Sequence, residues 1–394
     1  MRALGLAVLL TAALAACDGL YHERPSLYAD NRIQRGKADL ARGDRAAALA
    51  HYEAAAARGD PFGEYKAAQL HSGGPRAERD EERAVELLRR TVTKRSDVRP
   101  EAWALLGRLI AEDEPEEALA LFRRADAAGA DVPPGEMARL LIEQGFADEA
   151  EPWLARGRAE DDVIALRLSI ERALAAGARE NAERYALELA DVYRDLLEYE
   201  GETWAAWELA RLYDEGEALP RDVGQAIRWY TVAAEAGEVR AIRRLARGFL
   251  QGYDGFPVNA TEGRRWGERG VAVGDVATTA YLGRALLTGE PLSRDPARAE
   301  ELLLIAAAEG HNAAMTDLGR AYLTGDVLTQ HVERGLTLLE AAAAADNASA
   351  LTALGWAYWN GDGVPQNRDR ARTLMRQAQA LGHPSADKFF ELFG

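Results

Sequence analysis

The chain has 394 residues, 48% of them hydrophobic, and a formal net charge of −16. That balance excludes a protein that holds nucleic acid or anionic lipid by bulk charge, since a polyanion would be repelled. Alanine and leucine outnumber β-branched residues, which favours helices over strands, and the single cysteine, Cys17, excludes an intramolecular disulfide.

Met1-Arg2 precedes an apolar run from Ala3 to Ala16. A short basic start and a run too short to span a bilayer read as a secretory signal over residues 1–16. Its removal takes away only Arg2, leaving a net charge of −17. Leu14-Ala15-Ala16-Cys17 is similar to the bacterial lipobox. The resemblance implies a thioether-linked diacylglycerol on Cys17 and an acylated new N-terminus. Each buried CH₂ contributes roughly 0.8 kcal/mol, so several acyl chains anchor stably. Residues 17–30 are then the lipidated cysteine and a tether, in which Pro25 breaks any helix. The expected location is periplasm-facing and lipid-anchored, with the outer membrane favoured. Asp18, a residue that in some enteric bacteria retains lipoproteins in the inner membrane, keeps that destination open.

Residues 31–200 read as degenerate helical repeats. Leu40 to Gly74 alternates helix, glycine stop and helix, and two further pairs follow before Gly157. Residues 160–200 hold two amphipathic helices without clear punctuation.

Residues 201–384 repeat with a period that can be counted. Leu209, Leu245, Leu282, Leu318 and Leu354 recur at spacings of 36, 37, 36 and 36. Four residues on stand Tyr213, Phe249, Leu286, Tyr322 and Tyr358; three further on, Gly216, Gly252, Gly289, Gly325 and Gly361. Leucine and aromatic share one helix face, and the glycine permits the left-handed turn that stops the helix. Asp222, Asn259, Asp295, His331 and Asn367 are placed to cap a second helix, His331 being the weakest of the set. Ala226, Gly263, Ala299, Gly335 and Ala371 leave room for a paired helix. Trp229, Trp266, Leu302, Leu338 and Leu374, three positions later, are expected to fill the core between repeats. Gly237, Gly274, Gly310, Asp346 and Gly382 close the units. Trp204 and Trp207, expected in the core, stand where the regular repeats begin. A lone terminal helix, residues 385–394, carries Phe389, Phe390 and Phe393. It reads as a cap on the last repeat or as a docking peptide.

This pattern resembles the Sel1-like repeat family, relatives of the tetratricopeptide repeat. The last unit carries its core motif at Leu354, Gly355, Tyr358, Gly361, Gly363, Val364, Pro365 and Asn367. The resemblance covers about residues 205–394. It implies an all-α chain: a right-handed α-solenoid of about ten stacked helix pairs with a terminal capping helix.

The six histidines are isolated, and no pair stands at metal-ligand spacing. Catalytic and nucleotide-binding motifs are absent. The expectation is no enzyme, no cofactor and no metal. Trp356 lies two residues off the core stripe, and at least one of Trp356 and Trp359 is expected at the surface or at the terminal-helix interface; with Phe389, Phe390 and Phe393 they form the candidate partner surface. Stacked helix pairs present long surfaces for extended peptides or proteins. A lipobox followed by Sel1-like pairs looks like the lipoprotein family that supports outer-membrane alginate export. That resemblance implies envelope partners: an outer-membrane porin, periplasmic polysaccharide-modifying proteins, and the membrane through the lipid. A Sel1-like adaptor in envelope signalling or host interaction is the alternative.

Overall fold

The computed structural model describes residues 31–74 and 79–393. Cys17 and the proposed signal and tether lie outside the described residues. The chain divides after Glu200 into two compact units. Among the described residues all regular structure is helical.

The first unit holds α1 (Asn31–Ala41), α2 (Arg45–Ala56), α3 (Pro61–Ser72), α4 (Glu81–Thr91), α5 (Arg99–Ile110), α6 (Pro115–Ala127), α7 (Pro134–Glu143), α8 (Glu151–Ala159), α9 (Val163–Ala175) and α10 (Arg179–Tyr199). They pack as five consecutive pairs. Aspartates start several of them: Asp44, Asp60 and Asp80 each accept from a backbone N–H three residues on. Residues 160–200 prove punctuated after all. Asp162 caps α9 by accepting from the Ala165 N–H, and Gly177, at φ 71°, turns the chain into α10. The sequence reading missed both because neither belongs to the 36-residue register. Tyr52, Leu87, Leu88, Leu106 and Phe122 are fully buried. The enclosed carboxylate of Glu64 meets Arg90 at 2.7 Å and Lys94 at 2.6 Å. A buried charge persists only when paired, so this trio fastens α3 to α4 and the turn after it.

The second unit holds α11 (Trp204–Glu215), α12 (Val223–Glu235), α13 (Val239–Gln251), α14 (Ala260–Ala272), α15 (Val276–Thr288), α16 (Pro296–Ala308), α17 (Asn312–Thr324), α18 (Val332–Ala344), α19 (Ala348–Asn360), α20 (Arg368–Ala380) and α21 (Pro384–Phe393). The first ten form five pairs, stacked as a solenoid, and α21 packs on α20. All five repeat leucines are at most 2% exposed. The five stop glycines take φ between 64° and 84°. Asp222, Asn259, Asp295 and Asn367 each accept from a backbone N–H in the first turn of the second helix, whereas His331 makes no such bond. A further row, unremarked in the sequence, caps the first helices: Glu238, Asp275, His311 and Asn347.

One core column is displaced from expectation. Trp266 and Leu302 are buried, but Trp229, Leu338 and Leu374 are only half-buried. The fully packed positions lie one residue later, at Tyr230, Leu303, Leu339 and Met375. On a helix, i+3 and i+4 flank the same stripe, and here the i+4 position points at the first helix. Trp204 is a second departure: it is 42% exposed, its indole N–H donating to Glu202 at 2.8 Å. Trp207 is half-buried, stacked with Tyr230 at 5.1 Å and covered by Arg240.

Candidate functional site

The first helices of neighbouring pairs (α13, α15, α17 and α19) touch one another more closely than the second helices do. A stack built this way curves with its first helices on the inner side, and that inner face is the candidate site. Ion pairs between successive first helices fix it. Arg244 on α13 holds the buried Asp214 on α11 at 2.7 Å, and Tyr230 donates to the same carboxylate at 3.1 Å. Arg243 bridges to Asp275, the cap of α15. Arg284 on α15 meets Asp317 on α17 at 2.5 Å. Burial pushes the Asp275 carboxyl up, but hydrogen bonds from Arg243 and from the Thr278 hydroxyl and N–H outweigh it and hold the group below the ordinary carboxylate range.

An arginine row runs along this face. Arg211, Arg247, Arg284 and Arg320 each stand two positions after a repeat leucine, and Trp356 takes that place in the fifth repeat. A constant offset from the leucine could have exposed the row in the sequence, where attention to apolar columns hid it. Arg211 is held by Glu208 and Glu215 of its own helix. The Arg247 guanidinium stacks on Tyr253, 3.4 Å from the ring centre, and approaches Tyr281 at 5.8 Å. Neither Arg247 nor Arg320 has a carboxylate partner among the described residues.

Two grooves lie between first helices in equivalent register. One, of about 510 Å³ between α13 and α15, is lined by Leu250, Tyr281, Arg284, Ala285 and Glu290. The other, of about 390 Å³ between α17 and α19, is lined by Leu323, Ala353, Trp356, Ala357 and Asp362, with Arg320 at its edge. Leucine, alanine and the loop carboxylate occupy matching repeat positions in both.

The five aromatic residues expected on a partner surface come together, chiefly on one another. Phe389 is completely buried, with Trp359 at 4.9 Å and Trp356 at 5.3 Å edge-on to its ring. Phe390 meets Phe389 edge-on at 5.2 Å, and Phe393 lies tilted against Trp359 at 4.9 Å. Phe389 therefore offers no surface, because it plugs the gap between Leu351, Met375 and Ala378 that the last pair would leave open. Phe393 stays 38% exposed, and Trp356 is the one member that also lines the second groove. No cluster of His, Cys, Asp or Glu able to hold a metal occurs among the described residues. No described helix is long and apolar enough to cross a membrane.

The Sel1 repeat model matches residues 29–60, 61–92, 205–238, 239–275, 279–311, 312–347 and 348–383. The chain belongs to the Sel1 repeat family. The first two matches extend the Sel1 pattern into α1–α4, beyond the span where the sequence reading placed it. Solved structures of similar fold include a Sel1 repeat protein from Oxalobacter formigenes, at 20% identity and a TM-score of 0.49 over 97% of this chain and 99% of that one. Another is a protective antigen present in uropathogenic Escherichia coli strains, at 22% identity and a TM-score of 0.44 over 96% and 88%. No curated protein matches the sequence. Sel1 repeat proteins are generally scaffolds for protein–protein interaction.

Proposed function

We propose that this Sel1 repeat protein is a non-catalytic, protein-binding scaffold of the bacterial envelope. The observation that carries the reading is the inner face of the second unit. It is a rigid row of first helices, stapled by ion pairs, with shallow apolar-floored grooves and no assembled acid–base or nucleophilic group. Such a face recognises an extended partner and has nothing with which to transform it.

The lipobox-like Leu14-Ala15-Ala16-Cys17 is what supports a lipid-anchored, periplasm-facing location in this reading, the outer membrane being the favoured one. In its sharpest form the reading is a part in exopolysaccharide (alginate) export: localising an outer-membrane porin and bridging it to periplasmic polysaccharide-modifying proteins. Support for this comes from the architecture, a lipobox followed by Sel1 pairs. Two measurements test it. Cys17→Ser should release the protein from membranes into the soluble periplasmic fraction, and unchanged retention refutes the anchor. Deletion should abolish secreted polymer while the synthase remains present. Normal secretion, with envelope partners still captured by cross-linking, turns the reading to a signalling or host-interaction adaptor.

A further inference from the structure

We infer that the arginine row Arg247–Arg284–Arg320 is the binding register for an extended acidic polypeptide segment, a carboxylate at every third residue meeting one guanidinium per repeat. The inference rests on the scaffold reading and names its partner's chemistry.

Three observations converge. The first is charge. In a chain of net charge −16, the inner face carries an arginine at one fixed offset in four of the five repeats. Arg247 and Arg320 lack carboxylate partners among the described residues, and Arg284 spends only its Nε on Asp317. The Arg247 Nε is buried without a hydrogen-bond partner, while its guanidinium carbon rests 3.4 Å from the centre of the Tyr253 ring. A guanidinium fixed in this way loses little freedom on meeting a carboxylate in a bidentate pair.

The second is spacing. Neighbouring packed helices lie about 8–10 Å apart, and an extended segment in the polyproline II conformation rises about 3.1 Å per residue with three residues per turn, so every third side chain returns to the same face. One repeat therefore matches about three residues of ligand. The third is the floor. Leu250 with Ala285, and Leu323 with Ala357, give the two grooves apolar bases beneath the arginines. Side chains between the carboxylates can seat there, with Tyr281 and Trp356 as walls. This alternation of apolar seat and guanidinium matches a polypeptide with apolar residues between acidic ones. A polysaccharide would leave the aliphatic floors unfilled.

The test uses the whole protein and a fluorescein-labelled peptide of about twelve residues, with Glu at every third position and Leu or Ala between. Anisotropy should show saturable binding that weakens as salt rises. Arg320 is exposed and makes no ion pair among the described residues, so Arg320→Glu is expected to leave folding intact. It should weaken the peptide by about tenfold or more. Arg376→Glu, the same charge change on the exposed side of α20, should stay within about twofold. Equal binding of the peptide with Gln in place of Glu would overturn the proposal. So would Arg320→Glu at wild-type affinity, or a soluble polyuronate displacing the label more readily than unlabelled peptide. Partner capture from envelope extract separates the two readings. Capture retained by Arg320→Glu keeps the scaffold and overturns the arginine row. No capture even by the wild type, with peptide binding still dependent on Arg320, removes the scaffold and leaves the row standing.

Discussion

At single positions, the repeat shows which residues are well matched to their backbone and which are tolerated. Four of the five closing turns use glycine at positive φ, and Asp346 takes the fifth at φ 56°. A left-handed backbone costs a residue with a Cβ about 1–2 kcal/mol, less for aspartate. Asp346→Gly is expected to raise stability by about 0.5–1 kcal/mol, read as a higher urea midpoint at unchanged slope. His331 stands at a cap position without bonding there, and His331→Asn should add about 1 kcal/mol in the same assay. His311 is the opposite case: its Nδ1 accepts from the Ala314 N–H at 3.2 Å. Burial, reinforced by the Arg284 charge, lowers its pKa from the ordinary 6.5, against weaker opposing pulls from Asp317 and Asp275. The folded state therefore favours neutral His311, which alone can cap. Its contribution is complete above the unfolded value near 6.5 and declines as pH falls through the folded value. Wild type should lose stability relative to His311→Asn between pH 7.5 and 5.5 in paired urea titrations; parallel curves would remove His311 as the cause.

Helix pairs form here where small residues meet. A Cβ on Gly335 would stand 2.8 Å from the Gly319 carbonyl oxygen, so α17 and α18 cross backbone to backbone. The Leu339 side chain fills the space over Gly319, where an added Cβ would lie 2.8 Å from it. Gly335→Leu should overpack this crossing and cost about 1–3 kcal/mol. The terminal helix depends on a different device, one ring sealed by others. Phe389→Ala should cost about 3–5 kcal/mol and open α19–α21 to amide exchange. Unaltered exchange there would show that α21 is not the cap. The alternation of small and large columns was legible in the sequence because the 36-residue register repeats five times. The choice between Trp229 and Tyr230 as core residue was not, since i+3 and i+4 both fit one stripe until the paired helix selects the nearer.

At the scale of each unit, every pair contacts its neighbours in sequence, so stability is set by pair interiors and nearest-neighbour interfaces. The damage from Gly335→Leu should therefore fade along the stack. Hydrogen exchange is expected to rise most in α17–α20, little in α11, and not in α1–α10. A uniform rise across both units would contradict this quasi-linear behaviour.

By itself the sequence determined the helical class, the family register, the stop glycines and most second-helix caps, because each depends on contacts within a few residues. It also showed which residue stands alone: Cys17, the single cysteine, with no partner for a disulfide. The tertiary structure alone decided which face is inner, that two grooves recur in register, and that Phe389 is a plug and not a surface. It also decided that Arg247 and Arg320 stand on that inner side with no carboxylate paired to them among the described residues. These are properties of helices meeting across thirty or more residues of chain, and no local pattern encodes which side chains arrive together.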